Sequence, residues 1–196
     1  MRELPNGIHR MWGRSHFDLN GTNCSMISKT DFTDAEWHVV REVPHLVVVA
    51  AASATASGLI GSLKEAVAPA AAMLAAIQGD NTLLRDVCDP AEWRAAVSEI
   101  REAADQTEFN ETQAYYHRQA VTRAQEAMTV IKAKGRAEDA AVYAAFLMDL
   151  ALRVAAAARE GGFMGFGGEP ISDGERVFLS DLGEVLGLPV EHAFVA

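Results

Sequence analysis

Cysteine, proline, basic charge and long unbroken hydrophobic runs are all scarce in this chain of 196 residues. Only Cys24 and Cys88 are present, without a Cys-x-x-Cys pair, which excludes a disulfide framework and a thiolate-rich zinc module. Six prolines leave room for long helices, and the comparatively few β-branched residues argue against extensive sheet. The formal charge of −10 excludes a phosphate-neutralising surface, so nucleic acid is not an expected partner. The most apolar stretch, Leu46 to Ile60, is too short to span a bilayer and is interrupted by Ser53, Thr55 and Ser57. No basic segment followed by an apolar one opens the chain, so no signal peptide is expected and the reading is cytoplasmic.

What is there is alanine-rich and helical in period. Residues 1–30 differ from the rest: Arg2, Arg10, Arg14 and Lys29 face only Glu3 and Asp18, and no periodicity is visible. They read as a disordered extension, with Met26 an alternative natural start, and 31–196 as one helical domain. Thr33 and Glu36 form a capping box flanked by the staple pair Phe32 and Trp37. The helix they start is expected to stop or kink at Pro44, which lacks an amide hydrogen and restricts Val43. A fully buried central helix should follow to about Thr55.

Ser62 and Glu65 form a second capping box, opening a helix to Gln78 that Pro69 should kink or split. A short helix over 82–87 comes next. Asp89, Pro90 and Glu92 then start a helix to about Ala104, with Cys88 and Trp93 at its staple positions. Glu108 to Lys134 reads as one long helix or two in line, Arg136 to Glu160 as the strongest helix, and Ser172 caps a last one that Gly187 ends. The expected architecture is an all-α compact bundle of roughly seven helices.

Two segments match at an offset of 104 residues. Leu46 pairs with Leu150, and Gly58-Leu-Ile-Gly61 with Gly162-Phe-Met-Gly165; each is followed by a Ser-x-x-Glu helix start. A duplicated helical hairpin is expected, with Leu46–Thr55 and Leu150–Ala158 as adjacent core helices. The second copy, from Ala151 through Ile171-Ser-Asp-Gly-Glu-Arg-Val-Phe to Val185-Leu-Gly-Leu, resembles the tellurite-resistance TerB family. The resemblance covers about half the chain. It implies a non-enzymatic helical domain in stress response or in assembling other proteins, with weak binding of a divalent cation such as calcium.

The family's acidic turns fall at Ser57-Gly58, where no carboxylate remains, and at Glu160-Gly161. Glu160, Asp173 and Glu175 are therefore the candidate metal ligands, because hard cations need several oxygen donors. The simpler account is that Asp173 and Glu175 favour the positive end of their own helix.

Other constellations carry less. The glycine-rich run Gly161 to Gly168 lacks the lysine and the preceding strand of a phosphate loop. Its Phe163, Met164 and Phe166 pack on the core or form a partner-binding patch, the identity of the partner and the oligomeric state being left open by the sequence. An enzyme or small-ligand carrier with a site between the hairpins near this loop is the alternative reading. His38, Glu42 and His45 have zinc-ligand types at i, i+4, i+7, but with Pro44 between them they read as surface or helix-end residues. Tyr115, Tyr116 and His117 read as a helix face, without a carboxylate partner for acid–base chemistry.

Overall fold

The computed structural model describes residues 26–54, 63–104, 112–160 and 172–188. Among the described residues there are seven α-helices, a single 3₁₀ turn at Lys29–Asp31 and no strand, which is the expected all-α bundle. The helices are α1 (Asp34–Ser53), α2 (Leu63–Gln78), α3 (Thr82–Val87), α4 (Pro90–Ala104), α5 (Thr112–Lys134), α6 (Ala137–Glu160) and α7 (Asp173–Leu186).

Order reaches further towards the N-terminus than the sequence suggested. Met26 to Thr30 were expected within the extension, yet Ile27 is buried, its side chain lying over the α5–α6 turn at Gly135. The Lys29 amide donates to Asp86 Oδ2 at 2.8 Å. Both contacts are made to residues distant in sequence, so no local pattern announces them.

At the start of α1 the capping box forms as read. The Thr33 amide donates to Glu36 Oε2 at 2.7 Å, the Glu36 amide returns to Thr33 Oγ1, and the Phe32 and Trp37 rings lie 5.7 Å apart. Pro44, however, neither stops nor splits the helix, which runs unbroken for 20 residues. The reason is tertiary. Proline at position 44 leaves the Val40 carbonyl, four residues earlier, without its helical donor. The buried Tyr143 hydroxyl of α6 donates to that carbonyl at 2.6 Å. Likewise α2 is not split at Pro69.

Helix α1 is the central element and packs against α4, α5, α6 and α7. It buries Val40, Val43, Leu46, Val47, Ala50 and Ala51. The facing residues on α5 are small as well as apolar, with Ala120, Ala124 and Ala127 fully buried beside Met128 and Ile131. Small residues at a helix contact shorten the interaxial distance, which accounts for the extensive α1–α5 contact. Helix α6 fills the other side with Tyr143, Phe146, Leu147, Leu150 and Val154. Its segment Ala137–Ala157 is long and apolar enough to cross a membrane by length and composition, and half of that window is buried in the bundle.

The first helices of the two repeat copies, α1 and α6, do pack on one another. Their second helices take different places. Helix α2 has its main contacts with α6 and α3, whereas α7 has its main contacts with α5 and α6. The two hairpins are therefore not equivalent in their packing.

Candidate functional site

Of the candidate metal ligands, Asp173 and Glu175 lie in the first turn of α7 but do different things. Glu175 is buried; its Oε2 accepts from the Ser172 amide at 2.7 Å, and its Oε1 has no hydrogen-bond partner among the described residues. Asp173 is almost fully exposed and reaches Arg176 at 3.4 Å. The side chain of Glu160, the loop Gly161–Gly168 and with it Phe163, Met164 and Phe166 fall outside the described residues. Among the described residues, no group of three or more His, Cys, Asp or Glu is arranged to hold a metal ion.

Ser172 has a second task that its sequence signal does not show. Its hydroxyl accepts from the Glu175 amide at 3.1 Å and donates to the Ala54 carbonyl at 3.0 Å. The cap of α7 thus also satisfies a carbonyl at the end of α1, one of the groups a helix terminus leaves open.

The largest polar constellation runs along the seam of α1 with α4 and α5. Because α1 is continuous through Pro44, His38, Glu42 and His45 do share one face. Glu42 Oε2 lies 3.7 Å from His38 Nε2 and Glu99 Oε2 lies 3.3 Å from Nδ1, so the carboxylates flank the ring on opposite nitrogens and do not converge on one cation. Arg41 is half-buried between Glu92 and Glu99, at 3.2 and 2.6 Å. Glu92 also accepts from Trp37 Nε1 at 2.9 Å and from Lys29 Nζ. Burial pushes the Glu92 carboxyl up, but the hydrogen bonds from Lys29, Trp37 and Arg41 outweigh it and hold it below the usual range. Arg123 of α5 closes the row, 3.7 Å from Glu42 and 2.8 Å from Glu126. Each arginine is engaged by carboxylates, so the seam acts as a clasp between three helices rather than as an anion site.

His45 departs from its expected place at a surface or helix end. It is 3% exposed, and its ring centroid lies 3.4 Å from that of Trp93 on α4. Trp93 thus covers His45, and Cys88, the residue that ends α3, is itself buried. Among the described residues the polar groups that act on the His45 ring as acceptors are the peptide carbonyls of Arg41 and Trp93. Burial lowers its pKa to about 4, with Arg41 acting in the same direction and the peptide carbonyls of Arg41 and Trp93 opposing.

His117 does have a carboxylate partner, supplied by α7: Asp181 Oδ2 lies 2.8 Å from its Nε2. The Phe178 ring meets the imidazole edge-on at 5.4 Å. The pair is partly exposed and ties α5 to α7. Sequence reasoning missed it because the two residues are 64 positions apart. Asp181 occupies Nε2, and among the described residues no serine, threonine or cysteine is hydrogen-bonded to the imidazole, as nucleophilic catalysis would need.

One surface stands out for what it lacks. From Ala66 to Gln78, helix α2 carries no charged residue. Its outward side presents Ala70, Ala71, Leu74, Ala75, Ile77 and Gln78, with Leu74 55% and Ile77 37% exposed. A helix apolar on every side belongs in an interior, yet one side of α2 faces outward. The signal was legible in the sequence as a thirteen-residue stretch without charge.

The geometry defines a class: an all-helical domain in which the Arg41, Glu92, Glu99 and Arg123 cluster and the His117–Asp181 pair join helices, and in which one described helix, α2, presents an uncharged face. Comparison with protein-family models, with curated proteins and with solved structures finds no match.

Proposed function

We propose that the chain is a non-enzymatic, cytoplasmic helical adaptor of the TerB-like kind, which binds a partner protein over the outward face of α2. The observation that carries this reading is the uncharged face from Ala70 to Gln78, with Leu74 and Ile77 exposed at its centre. Its chemistry selects the occupant. With no charge to pair and mostly alanine to contact, the face suits an amphipathic helix offering an uncharged apolar stripe. Burying the exposed halves of Leu74 and Ile77 contributes about 1 kcal/mol each. The family resemblance supplies the setting, stress response or the assembly of other proteins.

The test is site-specific photocrosslinking in cells that make the protein, with the probe at Leu74 and a control probe at the exposed Arg153 of α6. A discrete adduct from position 74, absent from 153 and lost on Ile77→Arg, supports the adaptor. Adducts only with a second copy would replace the partner with self-association, and equal labelling at both positions would remove the surface from consideration.

The resemblance also carries weak calcium binding, for which the supporting feature is the buried Glu175, whose Oε1 has no partner among the described residues. Calcium should then raise the melting temperature, and Glu175→Gln should reduce the rise. A melting temperature indifferent to calcium would dispose of this site.

A further inference from the structure

The outward face of α2 lies next to the point where the N-terminal segment joins the bundle. Residues 1–25 are outside the described residues, but the place of their attachment is fixed. The Asn81 side-chain amide donates to Met26 Sδ at 3.8 Å, Ile27 is buried beside Gly135, and the Lys29 amide bonds Asp86 Oδ2. Asn81 follows closely on Gln78, the last residue of α2. The segment is therefore tethered at the C-terminal end of the helix whose outward side, Ala70 to Gln78, is uncharged and holds the exposed Leu74 and Ile77.

Length lets the segment reach that face. From Gln78 back to Ala70, α2 rises about 12 Å. The stretch from Trp12 to Met26 is long enough that a coil of its length spans about 20 Å root-mean-square.

Composition makes the two complementary. The face is mostly alanine around two large side chains, whereas Ile8, Met11 and Trp12 are all large and apolar. Arg10 and Arg14 stand among them, and no acidic residue lies between Glu3 and Asp18. Helix α2 has no basic residue in its last turn, and the exposed Asp80 lies just beyond it. A helix C-terminus carries partial negative charge and favours cations. The arginines supply the sign that this end of α2 lacks, in a chain of formal charge −10.

We infer that residues 8–14 form a strap over the outward face of α2: Ile8, Met11 and Trp12 cover Leu74 and Ile77, with Arg10 and Arg14 towards the helix C-terminus and Asp80. The strap rests on the reading of α2 as a docking face and adds its regulation, because a partner must displace it. Its advantage over a free partner is the tether. Short tethers give effective concentrations in the millimolar range, so an intrinsic Kd of about 0.1 mM keeps the face about nine-tenths covered. A partner's apparent affinity then falls about ten-fold, in proportion to the uncovered fraction.

The test uses the purified full chain with no partner present. A photocrosslinking side chain in place of Leu74 should form an intrachain adduct, mapped by tryptic digestion and mass spectrometry to the stretch from Ile8 to Arg14. Its yield should be independent of protein concentration, fall at least about five-fold in Trp12→Glu, and vanish with the probe at Arg153. No adduct, adducts elsewhere in the chain, a yield that grows with concentration as between two copies, or a yield unmoved by Trp12→Glu would overturn the strap. In cells, Trp12→Glu should raise the partner adduct from position 74 about ten-fold. A partner adduct that does not rise removes the strap and leaves the adaptor. An intrachain adduct in the purified chain, with no partner adduct in cells even in Trp12→Glu, removes the adaptor and leaves the strap.

Discussion

The hydroxyl of Tyr143 is the most informative single group to delete. It is wholly buried on α6 and donates to the Val40 carbonyl at 2.6 Å, and that carbonyl is the one Pro44 leaves without a helical donor. Tyr143→Phe removes the donor with almost no change in shape, so no cavity term enters. A buried carbonyl left without a partner costs about 1–3 kcal/mol. For a chain of this length that corresponds to a fall in melting temperature of roughly 2–10 °C. The sharper measurement is a double-mutant cycle with Pro44→Ala, read by urea unfolding at 222 nm. Alanine restores an amide hydrogen at position 44, and the ordinary i→i−4 bond can then form to Val40. In that background Tyr143→Phe should cost at least about 1 kcal/mol less than in the native one, the difference being the coupling between the two sites. Equal costs in both backgrounds would refute the account of why α1 passes through a proline unbroken.

Three further outcomes follow from the same structure. Glu92→Gln removes the charged acceptor shared by Lys29, Trp37 and Arg41 and should destabilise the fold by about 2–3 kcal/mol in chemical denaturation. Ser172→Ala deletes both the α7 cap and the bond to Ala54, so it should cost about 1–2 kcal/mol, the upper end of the range for a lost cap, with faster amide exchange in the first turn of α7. Melting temperature should fall with pH in two stages. The first, between 6.5 and about 4, belongs to His45, whose depressed value makes stability rise with pH. The second lies between 4.5 and about 2, where Glu36 is held low by Lys134 first and by Thr33 next. His45→Gln should erase only the first stage, and Lys134→Met should weaken only the second.

Several local signals form as their spacing indicates, because their cause is local. The Thr33–Glu36 and Ser172–Glu175 boxes, the Phe32–Trp37 staple and the left-handed Gly187 at φ 70° all form as their spacing indicates. Each depends on atoms within one turn of helix, so the sequence contains the whole interaction. The prolines show where that ends. Proline chemistry correctly identifies the lost hydrogen bond at position 44, but whether the helix survives depends on a hydroxyl 103 positions away. The same distance problem hid the His117–Asp181 pair and the burial of Ile27. The candidate site was legible only in part: the uncharged run of α2 stands in the sequence, but which of its sides faces outward does not.

The sequence by itself determined the all-α class of the fold and the helix ends at Thr33, Ser172 and Gly187, because helical periodicity and capping act over three to seven residues. It also marked α1 and α6 as neighbouring core helices. Only the tertiary structure decided that α2 leans on α6 while α7 leans on α5, that His45 lies sealed beneath Trp93, and that Glu92 gathers three donors. These outcomes depend on which faces meet. Helix faces are selected by the summed burial of the whole bundle, and no stretch of chain carries that sum.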